Sequence, residues 1–107
     1  MTVYLSNAFS LSMITPPTTV KVVEASIEDV KNILARGFTS AVGHEATAQV
    51  ITTQLSIPVS ANRVSIKLQD GDILIVFQIL TRLPEGKILT EAEMRQVPSK
   101  WYIVTLQ

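Results

Sequence analysis

The chain has 107 residues, 47% of them hydrophobic and 17% charged, which suits one buried core and leaves no room for two domains. Nine basic side chains balance nine acidic ones, so the surface lacks the cationic excess with which proteins coat long DNA or RNA. The absence of cysteine excludes disulfides, thiolate metal sites and cysteine nucleophiles together, and it fits an intracellular protein.

Taken in order, "TVYLS" reads as a first short strand, followed by the polar turn "NAFSLS" and a proline break at "TPP". The β-branched "TTVKVVEA" at 18–25 predicts a second strand. Ser26 with Asp29 three residues later resembles a capping box, and Ile27, Val30, Ile33 and Leu34 share a helical face. Gly37 is the expected C′ residue of that helix. "FTSAV" is a third extended piece leading into Gly43 and His44. From Glu45 to about Leu55 the pattern is helical, with Ala46, Val50 and Ile51 on one face. After the loop "SIPVSAN", the stretches "RVSIKL" and "DILIVFQIL" read as two strands joined at Asp70-Gly71, a hairpin signal. "LPEGKIL" is a polar-tipped loop, Thr90 with Glu93 opens a short helix by a capping box, and "WYIVTL" supplies the last strand. Strands and helices interleave without strict βαβ regularity. The expectation is one domain over 1–107 of α+β class, a mixed sheet flanked by helices.

The longest apolar stretch, "ILIVFQIL" at 73–80, is too short to span a bilayer and is interrupted by Gln78. The first residues carry no basic region, so a signal peptide is not expected, and the cytoplasm is the expected location. One histidine and scattered carboxylates provide no ligand pair at helical or hairpin spacing, so neither a metal nor another cofactor is expected. A nucleophile elbow, a Walker loop and a dinucleotide fingerprint are all missing.

What remains is proton transfer and positioning. His44 stands at the start of a predicted helix, where free N–H groups and the dipole favour an anion such as phosphate. An imidazolium beside a phosphate is a good general acid near neutral pH. A helix-terminal histidine bonded to solvent is the commoner role for such a residue on its own. Arg82 and Glu85 sit three apart as the chain leaves a strand, with Gln78 four before Arg82. Arg82 offers a bidentate clamp for phosphate and Glu85 a carboxylate to orient a hydroxyl or the imidazole, or the two form an ordinary surface pair. Asn7, Ser10 and Ser12 gather small polar side chains after the first strand, and Asn62 and Arg63 precede "VSIKL".

Four stretches in this order, "YLSNAFSLSM", "VGHEAT", "NRVSIKL" and "RLPEGKIL", resemble the viral ring-nuclease family. These are small type III anti-CRISPR proteins of archaeal viruses, bacteriophages and integrated elements. The resemblance implies a homodimer that encloses cyclic tetra-adenylate. It implies cleavage of that ring without metal into linear di-adenylates with 2′,3′-cyclic phosphate ends, which suppresses type III CRISPR signalling. The family's catalytic histidine, arginine and glutamate fall on His44, Arg82 and Glu85. Its ligand contacts fall on Asn7, Ser10, Thr47, Arg63 and Gln78. The sequence departs from the family's usual pattern at Ser12, Glu45, Ala46, Ile79 and Pro84, which bears on individual adenine or ribose contacts. The competing expectation is a sponge that binds the nucleotide without cutting it.

Overall fold

The structure, a computed structural model, describes residues 2–81 and 88–107. Its strands form one mixed sheet of five, in the order β2-β5-β4-β1-β3. They are β1 (Val3–Ser6), β2 (Val20–Ala25), β3 (Thr39–Ser40), β4 (Ile73–Ile79) and β5 (Ser99–Leu106), and the helices are α1 (Ile27–Leu34), α2 (Glu45–Leu55) and α3 (Glu91–Arg95). β1 runs parallel to both β3 and β4, with Ser6 opposite Val76 and Leu5 opposite Ser40. β5 is antiparallel to β4 on one side and to β2 on the other. The α+β class and the mixed sheet agree with the sequence reading.

Side chains alternate across a strand, and here both faces are covered over the centre of the sheet, while residues 21–24 of the edge strand β2 are exposed. Val3, Leu5, Ile75, Phe77 and Trp101 point to the helices and form one core with Val30 and Leu34 of α1 and Ala48, Val50, Ile51 and Leu55 of α2. Leu74, Val76 and Val104 point the other way and pack against Ile14, Ile66 and Leu68. Burial on both faces explains why β4 is a near-continuous apolar run rather than an alternating one.

The second face is covered by chain without a ladder of its own, and this corrects the reading of "RVSIKL". Residues 61–69 form no strand. Ile66 and Leu68 are buried with Lys67 exposed between them, whereas Val64, of the same parity, is exposed, so the alternation holds only over the end of the segment. The segment lies over the sheet rather than in it, held by Leu68 N–H donating to Met13 C=O at 2.7 Å. Period two reports that alternate side chains are buried, and an extended segment laid over a sheet satisfies it as well as a strand within one. The Asp70-Gly71 turn does form. Gly71 takes φ 89° and Asp72 N–H donates to Gln69 C=O at 3.0 Å, but the turn joins this overlying segment to β4.

Smaller differences concern element ends and faces. α1 is capped by Ser26, whose hydroxyl accepts from Asp29 N–H. Its C-cap is Ala35, so Gly37, at φ 105°, lies two residues beyond the cap rather than one. On α2 the inward face consists of Thr47, Ala48, Val50, Ile51 and Leu55, and Ala46 faces solvent. α3 carries the full capping box between Thr90 and Glu93.

Candidate functional site

Three parallel strands, β4, β1 and β3, deliver their C-terminal ends to one edge of the sheet. In open sheets of this kind, ligands are taken up outside the carboxyl ends of the strands. Asn7 is the residue after β1, Gly43 and His44 follow β3 within four residues, and Gln78 is near the end of β4. Topology alone therefore collects residues that are far apart in the chain.

The contacts are specific around Gly43. Asn7 Oδ1 accepts from Gly43 N–H at 3.1 Å, and Arg63 Nε donates to Gly43 C=O at 3.0 Å. The rest of the segment is satisfied in the same way, from β1 on one side and from residues 60–63 on the other. Ala41 N–H donates to Leu5 C=O at 2.7 Å, and Asn62 N–H donates to Val42 C=O at 2.8 Å. Asn62 Nδ2 donates to Ser40 C=O at 2.7 Å, and Ser40 Oγ donates to Ser60 C=O at 2.6 Å.

His44 itself is the N-cap of α2, with extended backbone (φ −133°, ψ 133°) and no side-chain capping bond. Its C=O accepts from Ala48 N–H at 3.0 Å, so the backbone starts the helix while the exposed imidazole is left free to face outward. An 11-residue helix with unpaired N–H groups in its first turn favours an anion beside that ring.

The other predicted residues divide. Ser10 is the N-cap of a single 3-10 turn (Leu11–Met13), and its hydroxyl pairs with Ser12 Oγ at 2.7 Å. Both serines line an open hollow of about 490 Å³ with Met13, Val64, Ile66 and Lys67. No sequence motif marks Lys67 as a site residue. Its ammonium donates to Ser12 C=O at 3.2 Å and to Ile14 C=O at 3.4 Å, a contact across more than fifty residues of chain that no local pattern announces. Gln78 is exposed on the second face of the sheet, beside Phe9, Val76 and Tyr102 in a depression of about 200 Å³. Its amide donates to the neighbouring Ile79 C=O at 3.2 Å. Thr47 is only 6% exposed and is part of the inward face of α2, so any ligand contact from it is made through a small window. Arg82 and Glu85 lie outside the described residues. The structure thus brings Asn7 and Arg63 onto the backbone of Gly43, next to His44 in the chain, places Ser10 on the turn that follows β1, and sets Gln78 near the end of β4.

These features define a small α+β protein whose candidate site is built where three parallel strands end, around the N-terminus of a helix. The chain belongs to the STIV B116-like family, whose model matches residues 3–101. Its fold is similar to that of B116 of Sulfolobus turreted icosahedral virus, with a TM-score of 0.84 and 31% identity over 98% of this chain and 99% of that one. Among relatives, uncharacterized protein 26 of Sulfolobus islandicus filamentous virus is 43% identical over 76 residues, 69% of this chain and 64% of that protein. The ORF116 protein of Acidianus filamentous virus 1 is 33% identical over 99 residues, 88% of this chain and 83% of that protein. The family is thus represented in archaeal viruses. Among the described residues, no helix is long and apolar enough to cross a membrane.

Proposed function

We propose that this protein is a metal-independent ring nuclease that opens cyclic tetra-adenylate into linear di-adenylates with 2′,3′-cyclic phosphate ends, and so silences type III CRISPR signalling in the host cytoplasm. The observation that carries the reading is that Asn7 and Arg63 both bond the Gly43 backbone, one residue before His44, whose exposed side chain stands at the N-cap of α2. These are three of the residues on which the family resemblance places the reaction.

The substrate supplies its own nucleophile. The ribose 2′-oxygen attacks the adjacent phosphorus in line with the departing O5′, forming the 2′,3′-cyclic phosphate as the P–O5′ bond breaks. The 2′-hydroxyl gives up its proton to solvent water, and His44, in its protonated form, donates one to the leaving O5′, so that one proton is lost and one gained by the substrate. Charge on the phosphoryl oxygens is met by helix N–H groups, by Arg63 and, on the resemblance, by Arg82. Glu85, also on the resemblance, orients the 2′-hydroxyl or the imidazole.

A two-fold homodimer presents two such sets to a ring of matching symmetry and accounts for two cuts per ring. The neutral net charge fits this substrate. Four phosphates in a compact ring need a few converging donors, not a cationic surface.

Incubating the protein with radiolabelled cyclic tetra-adenylate in excess EDTA tests the proposal. Di-adenylate products support it. A ring that is retained but intact supports the sponge, and a ring neither bound nor cut refutes both.

A further inference from the structure

Asn7 and Arg63 are both spent, in part, on the protein itself. The N–H of Gly43 belongs to the peptide plane before its Cα, and its C=O belongs to the plane after. Asn7 Oδ1 holds the first plane and Arg63 Nε holds the second. The φ and ψ of Gly43 direct the chain from β3 into the N-cap of α2, where the imidazole is attached. Pinning both planes fixes the direction in which His44 leaves the sheet edge.

The two clamping side chains come from opposite sides, 36 residues before Gly43 and 20 after it. Each keeps donors in reserve. Among the described residues, Asn7 Nδ2 and the two terminal amino groups of Arg63 make no hydrogen bond of their own.

We propose that Asn7 and Arg63 are positioning residues for His44. Each holds a peptide plane of Gly43 with one end and offers the other end to the nucleotide's phosphate or ribose. This deepens the ring-nuclease reading and rests on it, and it separates two roles that a simple ligand contact would merge. An end that touches only ligand affects binding. An end that sets the imidazole affects turnover, because displacing a catalytic group by about 1 Å costs on the order of 100-fold.

The test uses Asn7→Ala and Asn7→Asp. Aspartate keeps an oxygen for the Gly43 N–H but has no outward amide donor, whereas alanine loses both. His44 is the chain's one histidine, so its ring resonances are unambiguous in an NMR spectrum. Asn7→Ala is expected to shift the Gly43 amide and the His44 ring signals and to lower kcat by about 10- to 100-fold. Asn7→Asp is expected to leave those signals near their original positions and to raise KM more than it lowers kcat. Arg63→Ala should shift the same His44 signals from the other side.

The proposal is overturned if Asn7→Ala leaves the Gly43 and His44 resonances unmoved. It is equally overturned if alanine and aspartate at position 7 lose activity alike through KM. Failure of the unmodified protein to cut cyclic tetra-adenylate would refute the ring-nuclease reading instead, and the resonance comparison would still decide the clamp.

Discussion

Gln54 joins three elements with one amide. Its Nε2 donates to Met94 C=O at 3.1 Å and to Val97 C=O at 3.3 Å, and its Oε1 accepts from Ser99 Oγ at 3.3 Å. The side chain thereby fastens α2 to the end of α3 and to the first residue of β5. The two acceptors are carbonyls at and beyond the C-terminus of α3, and Met94 C=O also accepts from Val97 N–H at 3.4 Å. Gln54→Ala removes three hydrogen bonds, each worth about 0.5–1.5 kcal/mol net. The site is half-buried and water reaches part of it, so the lower half of that range applies and the expected loss is about 2 kcal/mol. With a slope of roughly 2 kcal/mol per molar urea, the unfolding midpoint should fall by about 1 M.

Trp101 reports this directly. It is the chain's one tryptophan, 3% exposed, with its ring centroid 4.6 Å from that of Phe77. Urea titration followed by its fluorescence should show the lower midpoint with an unchanged slope. Gln54→Glu should be worse than alanine at neutral pH, because a carboxylate then faces two carbonyl oxygens. A midpoint for the alanine variant within about 0.2 M of the parent would show that the staple contributes nothing, and the energetic assignment would be wrong.

At the candidate site, His44→Ala should reduce turnover of cyclic tetra-adenylate by about 100- to 10,000-fold, the usual worth of general acid catalysis, while the ring stays bound in an equilibrium binding assay. Normal cleavage by this variant would remove His44 as proton donor. Asp72, 8% exposed, accepts from Thr2 N–H at 3.0 Å and Gln69 N–H at 2.9 Å, so Asp72→Ala should cost about 2 kcal/mol in the same urea titration. Thr90→Ala breaks the capping box of a five-residue helix and should cost about 1 kcal/mol, seen as faster hydrogen exchange of the Glu93 amide, which donates to Thr90 Oγ1. Equal protection in both proteins would show that packing alone holds that helix.

Local grammar was sufficient for most elements. The Ser26 and Thr90 caps, the apolar face of α1 apart from the exposed Ile27, the run at β4 and the start of α2 at His44 were legible, because each depends on residues three or four apart or on alternate residues. The candidate residues were legible in kind, since polar and basic side chains at the ends of strands and at the start of a helix stand out from an apolar background. Local pattern also had limits. "RVSIKL" alternates like a strand, and Ala46 sits at a spacing that fits the apolar face of α2 as well as it fits solvent.

The sequence by itself determined where chain turns, where helices start and which segments are extended, since those choices are made over a few residues by backbone sterics, caps and periodicity. Only the tertiary structure decided the strand order β2-β5-β4-β1-β3, the placement of residues 61–69 over the sheet rather than in it, and the burial of Thr47. It also decided that Asn7 and Arg63 meet at Gly43. The physical reason is separation along the chain. Asn7, 36 residues away, is brought to Gly43 by the parallel pairing of β1 and β3, and Arg63, 20 residues away, by the segment that overlies the sheet; no periodicity within a segment encodes which neighbour it will meet.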